Sequence, residues 1–127
     1  MSLLERIDQE ALPGKDDGRM VVREFNGFMV YVGQNALSNE RIVRDHEHKS
    51  CVWLHALGCR GSHVVLCSAG VHPTFTDEAI RFAAELALRF SRSKGKAVMY
   101  SRLENVVKPL NGGIGVFHPL KTIQLDL

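Results

Sequence analysis

Residues 51–67, CVWLHALGCRGSHVVLC, constrain the fold more than any other stretch of the chain. Residue character alternates with period two, halts at Gly58, Cys59, Arg60 and Gly61, and resumes with β-branched residues, the pattern of two strands joined by a tight turn. With residues 58–60 as a three-residue loop, Leu57 faces Gly61. The same register sets His55 opposite His63, Trp53 opposite Val65 and Cys51 opposite Cys67, all on one face because side chains alternate along a strand. The other face carries Val52, Leu54, Val64 and Leu66 and is the core face.

The face with Trp53, His55 and His63 has two readings. In one it meets a ligand through an indole and two imidazoles. In the other Trp53 is a core aromatic and the histidines are hydrogen-bonded near a strand end, as buried polar groups usually are.

A chain of 127 residues fits one domain and can bury a core without a disulfide or metal staple. Its net charge of +2 is too small for general attraction to polyanions, so basic function must come from local clustering. The cysteines, Cys51, Cys59 and Cys67, are odd in number and outside any zinc spacing, so reduced cytosolic thiols are the expectation, although the register brings Cys51 and Cys67 within bonding reach. The amino terminus is acidic and lacks an apolar run, unlike a signal peptide, and no segment approaches the roughly 20 apolar residues that span a bilayer. A cytoplasmic protein without a membrane partner is expected.

Taken in order, residues 1–19 read as a short amphipathic helix (Leu3, Leu4, Ile7, Ala11, Leu12) and a linker, and residues 20–127 as the domain proper. Strands are expected at 20–24 and 28–32 around an Asn26-Gly27 turn, followed by a weakly patterned helix near 38–46 with Ser38 as its cap. Asp45, His46, Glu47 and His48 resemble a metal cluster on paper but read better as a solvated charged turn, and no metal or cofactor is expected. After the central hairpin comes a loop with Gly70 and Pro73. A long helix over about 76–94 then starts at Thr76 and carries Ala79, Ala83, Leu86, Ala87 and Phe90 inward. Short strands are expected at 97–100, 105–107, 115–117 and 121–127, while the glycine-rich run 111–115 lacks the lysine and hydroxyl of a P-loop and is a turn. The fold class is α+β: a single domain with a mostly antiparallel mixed sheet of six to seven short strands, one long helix, a short amino-terminal helix and the weak helix near 38–46.

Residues 89–96, RFSRSKGK, hold four basic residues and no acid. With Lys108 and Lys121 they sketch a footprint for phosphates.

The order of features resembles the NFACT-R domain family, the carboxy-terminal part of the NEMF and fibronectin-binding-like proteins of ribosome quality control, also found as small stand-alone proteins. The matching pieces are Gly33-Gln34-Asn35 with Asn39, Trp53-Leu54-His55-Ala56 with Gly61-Ser62-His63-Val64-Val65, Ala83 to Ala87 with Phe90-Ser91, Val106 to Pro109, and Lys121-Thr122-Ile123. Two departures remove charges: Cys51 stands where the family often has aspartate, and Gln34 where it usually has arginine. The resemblance implies a non-catalytic α+β module that contacts structured RNA, either tRNA or ribosome-associated RNA, in translation.

On that expectation Arg89, Arg92, Lys94, Lys96 and Lys108 meet phosphates, Trp53, His55 and His63 stack on or hydrogen-bond to bases and 2′-hydroxyls, and Arg60 and Ser62 orient the backbone. DNA stays open as the polyanion because these cations do not distinguish the sugars. Two alternatives are an RNA-modifying or RNA-processing enzyme using His55 and His63 as acid and base with Cys51 as nucleophile, and an adaptor whose hairpin face binds a protein in a translation complex.

Overall fold

Two hairpins seed the sheet. A computed structural model describes residues 19–69 and 74–127; the expected amino-terminal helix and the glycine–proline part of the loop after the central hairpin lie outside them. In the first hairpin β1 (Met20–Phe25) and β2 (Phe28–Gly33) pair antiparallel with Phe25 opposite Phe28, and Asn26 and Gly27 take φ of 47° and 85°. Positive φ at both turn positions is what an Asn-Gly hairpin turn supplies.

The second hairpin joins β3 (Val52–Ala56) to β4 (Val64–Ser68) in the register read from the sequence: Val52, Trp53 and Leu54 lie opposite Leu66, Val65 and Val64. Its connection is longer than expected. Leu57 turns away from Gly61 and donates its N–H to Ala97, while the His63 carbonyl accepts from Gly33, so the strands splay toward different neighbours.

The six-stranded sheet runs β1-β2-β4-β3-β5-β8, with β5 at Ala97–Arg102 and β8 at Ile123–Asp126. Every described pairing is antiparallel, so the sheet is not mixed. A 3-10 turn at Leu103–Asn105 leads to a two-stranded ribbon of β6 (Val106–Val107) and β7 (His118–Pro119); residues 115–117, expected as a strand, are turn and coil before it.

Helix α2 (Asp77–Phe90) covers one face of the sheet. Its alanines at 79, 83, 84 and 87 pack with Leu86 on Val30, Val32, Val52, Leu54, Val64, Leu66 and Val98, and small side chains let the helix approach closely. Thr76 caps it, but it ends four residues short of the expected boundary because Arg92 adopts φ of 53° and Ser93 N–H closes onto the Leu88 carbonyl.

Helix α1 (Ala36–His46) covers the other face. Asn35, not Ser38, is its cap: Asn35 Oδ1 accepts from Ser38 N–H at 2.8 Å and Ser38 Oγ accepts from Asn35 N–H at 3.0 Å, a capping box with a hydroxyl in the place usually taken by an acid or amide. Ile42 and Val43 then pack with Leu103 and Phe117 over Cys51, Trp53, Val65 and Cys67. The second sheet face is therefore a second core. Within it Cys51 and Cys67, expected as free thiols, are joined in a disulfide between facing strand positions, with Cα atoms 4.7 Å apart. Cys59 is free.

Candidate nucleic-acid interface

The splay of β3 and β4 brings three segments together at one end of the sheet: the β2–α1 junction, residues 57–63, and the end of α2. Ser91 Oγ accepts from Ser62 N–H at 3.0 Å, and Gly61 lies so close that a Cβ there would sit 2.1 Å from Ser91 Oγ. Asn39 ties in the third segment. Its Oδ1 accepts from His63 N–H at 3.0 Å, its Nδ2 reaches the Gly61 carbonyl, and it presses on Gly33 so closely that a Cβ there would lie 2.1 Å from Oδ1. Gly33, Asn39, Gly61 and Ser91, all within the motifs of the family resemblance, are thus the joints that fix the turn to both helices.

This joint makes a basic rim. Arg60 on the turn and Arg89, Arg92, Lys94 and Lys96 at the end of α2 are all exposed. No acid occurs in residues 48–76 or 86–103, so neither segment carries its own counter-charge. Asp126 lies opposite Ala97 on β8, and its carboxylate accepts from Gln124. Basic rim and hairpin turn are therefore contiguous, as a shared polyanion site requires.

The rings are not part of that surface. Trp53 is 1% exposed, His63 6% and His55 9%. The Trp53 indole N–H donates to His63 Nδ1 at 2.9 Å, which fixes His63 as the neutral tautomer with its proton on Nε2. His55 Nδ1 donates to the Ala56 carbonyl at 2.7 Å, and its ring centroid lies 4.9 Å from that of His63. Burial, reinforced by the neighbouring His55, pushes His63 down to about 3; burial also lowers His55, against the pull of the Ala56 and Gly61 carbonyls. The expectation that this face is open to a ligand is corrected: α1 and Phe117 cover it, and the reading of Trp53 as a core aromatic with satisfied histidines describes the structure.

The remaining predicted contacts divide the same way. Ser62 is buried, and its backbone serves the Ser91 joint. Lys108 donates to Glu40 and to the Gly113 carbonyl, and its Nζ sits 4.6 Å from the Phe117 ring centroid, so it straps residues 108–117 onto α1 instead of facing solvent freely. Glu40 also accepts from Arg44 Nε and Gly115 N–H; these donors hold its carboxyl below the usual range despite partial burial. Sequence reading missed Asn39 and Ser91 as site-building residues, although both lie in the resemblance motifs.

Two of the three groups that an acid–base and nucleophilic reading would use are tied up, His63 and Cys51. A histidine with a pKa of about 3 is far from the range that suits proton transfer near neutrality, and Cys51 in a disulfide offers no thiolate. Among the described residues no cluster of three or more His, Cys, Asp or Glu is arranged to hold a metal, and no helix is long and apolar enough to cross a membrane.

No family model matches the chain. It is 38% identical over 88 residues, 68% of its length, to the Rqc2 homolog RqcH of Streptococcus pneumoniae, and 32% identical over 87 residues to the protein of that name from Bacillus subtilis. In each case the chain covers 15% of the relative. In fold it matches the structure of the C-terminal of the fibronectin/fibrinogen-binding protein from Streptococcus suis with a TM-score of 0.71 at 24% identity, covering 100% of this chain and 57% of that one.

Proposed function

As a homologue, over two-thirds of its length, of the Rqc2 homolog RqcH proteins of the NEMF family, this chain is, we propose, a non-catalytic module that binds structured RNA, tRNA or ribosomal, in translation and ribosome quality control. On this reading residues 20–127 are the binding domain. The observation that supports it is the rim of Arg60, Arg89, Arg92, Lys94 and Lys96, held in one place by the Ser91–Ser62 and Asn39–His63 hydrogen bonds. Because Trp53 and both histidines are buried, recognition at the rim runs through phosphates and helix shape, not base stacking.

The test is the salt dependence of affinity for a labelled tRNA. Five phosphate contacts give a log–log slope of roughly −4 and a loss on the order of a few hundredfold between about 50 and 200 mM salt. Changing the five cations to glutamine abolishes the slope. Binding that is absent, or indifferent to salt, refutes the reading; equal competition by duplex DNA removes RNA as the specific partner.

A second reading, a protein-binding adaptor, is favoured by one observation: Leu110, Ile114 and Leu120 on the excursion around β6 and β7 are 99%, 62% and 69% exposed. It predicts capture of a defined protein that survives nuclease and high salt.

A further inference from the structure

At the end of the sheet opposite the basic rim lies a cavity of about 780 Å³. It opens where β3 begins, β5 ends and β8 begins, beside the first turn of α2. Its size falls within the range of small-molecule and cofactor sites. Ligand chemistry can be read from its walls.

One wall is apolar and partly aromatic. Phe75, Ile80, Tyr100 and Ile123 line it; Phe75 is backed by Phe28 at 5.7 Å between ring centroids, and Tyr100 faces Ile123 across β5 and β8. The facing wall supplies short polar side chains, Ser50, Asn105 and Thr122; Ser101 meets the cavity on the Trp53 side of β5, 7% exposed, with its hydroxyl donating to the Arg102 carbonyl. Lys49, Arg102 and Lys121 stand exposed around the mouth. Glu47 and Glu104 share that mouth, and Glu47 lies 3.7 Å from both Arg44 and His48.

A ligand with a planar apolar group, a hydroxylated linker and an anion matches the chemistry of these walls. We propose that the cavity binds a nucleotide, with the base on the Phe75–Tyr100 wall, the ribose hydroxyls on Asn105 and Thr122, and the phosphate on Arg102 and Lys121. Resting on the RNA reading above, the bound nucleotide is an unpaired residue of the RNA held at the rim. The sheet separates the two sites by about 17–20 Å along strands of five to six residues. The two sites divide the labour: the rim has cations without an exposed ring, and the cavity has the rings on which an unpaired base stacks.

The experiment is a titration of the full chain with AMP, CMP, GMP and UMP followed by ¹H–¹⁵N NMR. Saturable shifts at the amides of Ser101, Arg102 and Thr122 are expected, together with contacts from the base to the Tyr100 ring. Lys121→Glu, an exposed substitution that leaves the apolar wall intact, weakens the nucleotide about three- to fivefold. Shifts confined to Arg60, Arg92 and Lys94, or no saturable shift at all, overturn the cavity and leave the rim standing. Cavity shifts with no binding of a fully paired RNA hairpin support the nucleotide site and overturn the rim. An apolar tripeptide with a free carboxylate that occupies the cavity more tightly than any nucleotide overturns the assignment in favour of a peptide terminus.

Discussion

Replacing Arg92 by glycine separates two quantities that most surface substitutions confound. Arg92 holds φ of 53° where α2 terminates, a conformation that costs an L side chain roughly 1–2 kcal/mol and glycine almost nothing. Glycine gains conformational freedom in the unfolded chain, which offsets roughly 0.5–1 kcal/mol of that relief. Arg92→Gly is therefore expected to be more stable by about 0.5–1 kcal/mol, raising the midpoint of thermal unfolding by about 2–6 °C. The same change removes one cation from the rim, so the log–log salt slope for RNA becomes shallower by about 0.9, and the affinity lost between about 50 and 200 mM salt shrinks roughly threefold. Thermal and urea unfolding, with anisotropy titrations at several salt concentrations, read both. Arg92→Lys keeps the cation and the backbone cost, and should match the wild type in both assays to within about 0.5 kcal/mol. A glycine variant destabilised by more than about 1 kcal/mol refutes the backbone argument; an unchanged slope refutes a phosphate contact at Arg92.

Three further outcomes are expected. The folded pKa of His63, about 3, lies below its unfolded value, so between pH 6.5 and 3 the unfolded chain holds a proton that the folded chain does not. Stability therefore falls as pH drops through that window by about 1.4 kcal/mol per unit, His55 acting in the same direction, and His63→Gln measured by urea unfolding at several pH values should flatten the dependence. Gly61→Ala forces a Cβ to within 2.1 Å of Ser91 Oγ and 3.2 Å of its Cα. It should cost about 1–3 kcal/mol, and full wild-type stability would show that the joint yields freely. Reducing the Cys51–Cys67 bridge, which spans 16 residues, should lower stability by about 3 kcal/mol; thiol alkylation with mass spectrometry checks the redox state, and an unchanged urea midpoint in the reduced protein counts against any stabilising role.

What was legible in the sequence was local. Alternation in residues 51–67 set the register, and Asn26-Gly27 set a turn, because strand period and turn chemistry are properties of neighbouring residues. The helix boundaries slipped for equally physical reasons. A serine completes the box at Asn35 where an acid or amide is the usual sign, and the basic run after Phe90 reads as a continuing helix although Arg92 turns left-handed. The fate of the Trp53 face was not legible at all. It is decided by Ile42 and Val43 on a helix with little apolar patterning and by Phe117, 64 positions further along the chain, and no window of sequence spans that distance. Composition marked the basic cluster; the fold alone showed that Ser91 brings it to the hairpin turn.

The chain holds a single tryptophan, and its indole N–H is committed to an imidazole inside the second core. That pairing makes Trp53 a built-in optical gauge. Its emission should stay blue-shifted and indifferent to a polyanion settling on the outside, then redden and weaken when α1 lifts or acid forces a proton onto His63, so one fluorescence channel separates docking from unfolding without any added label.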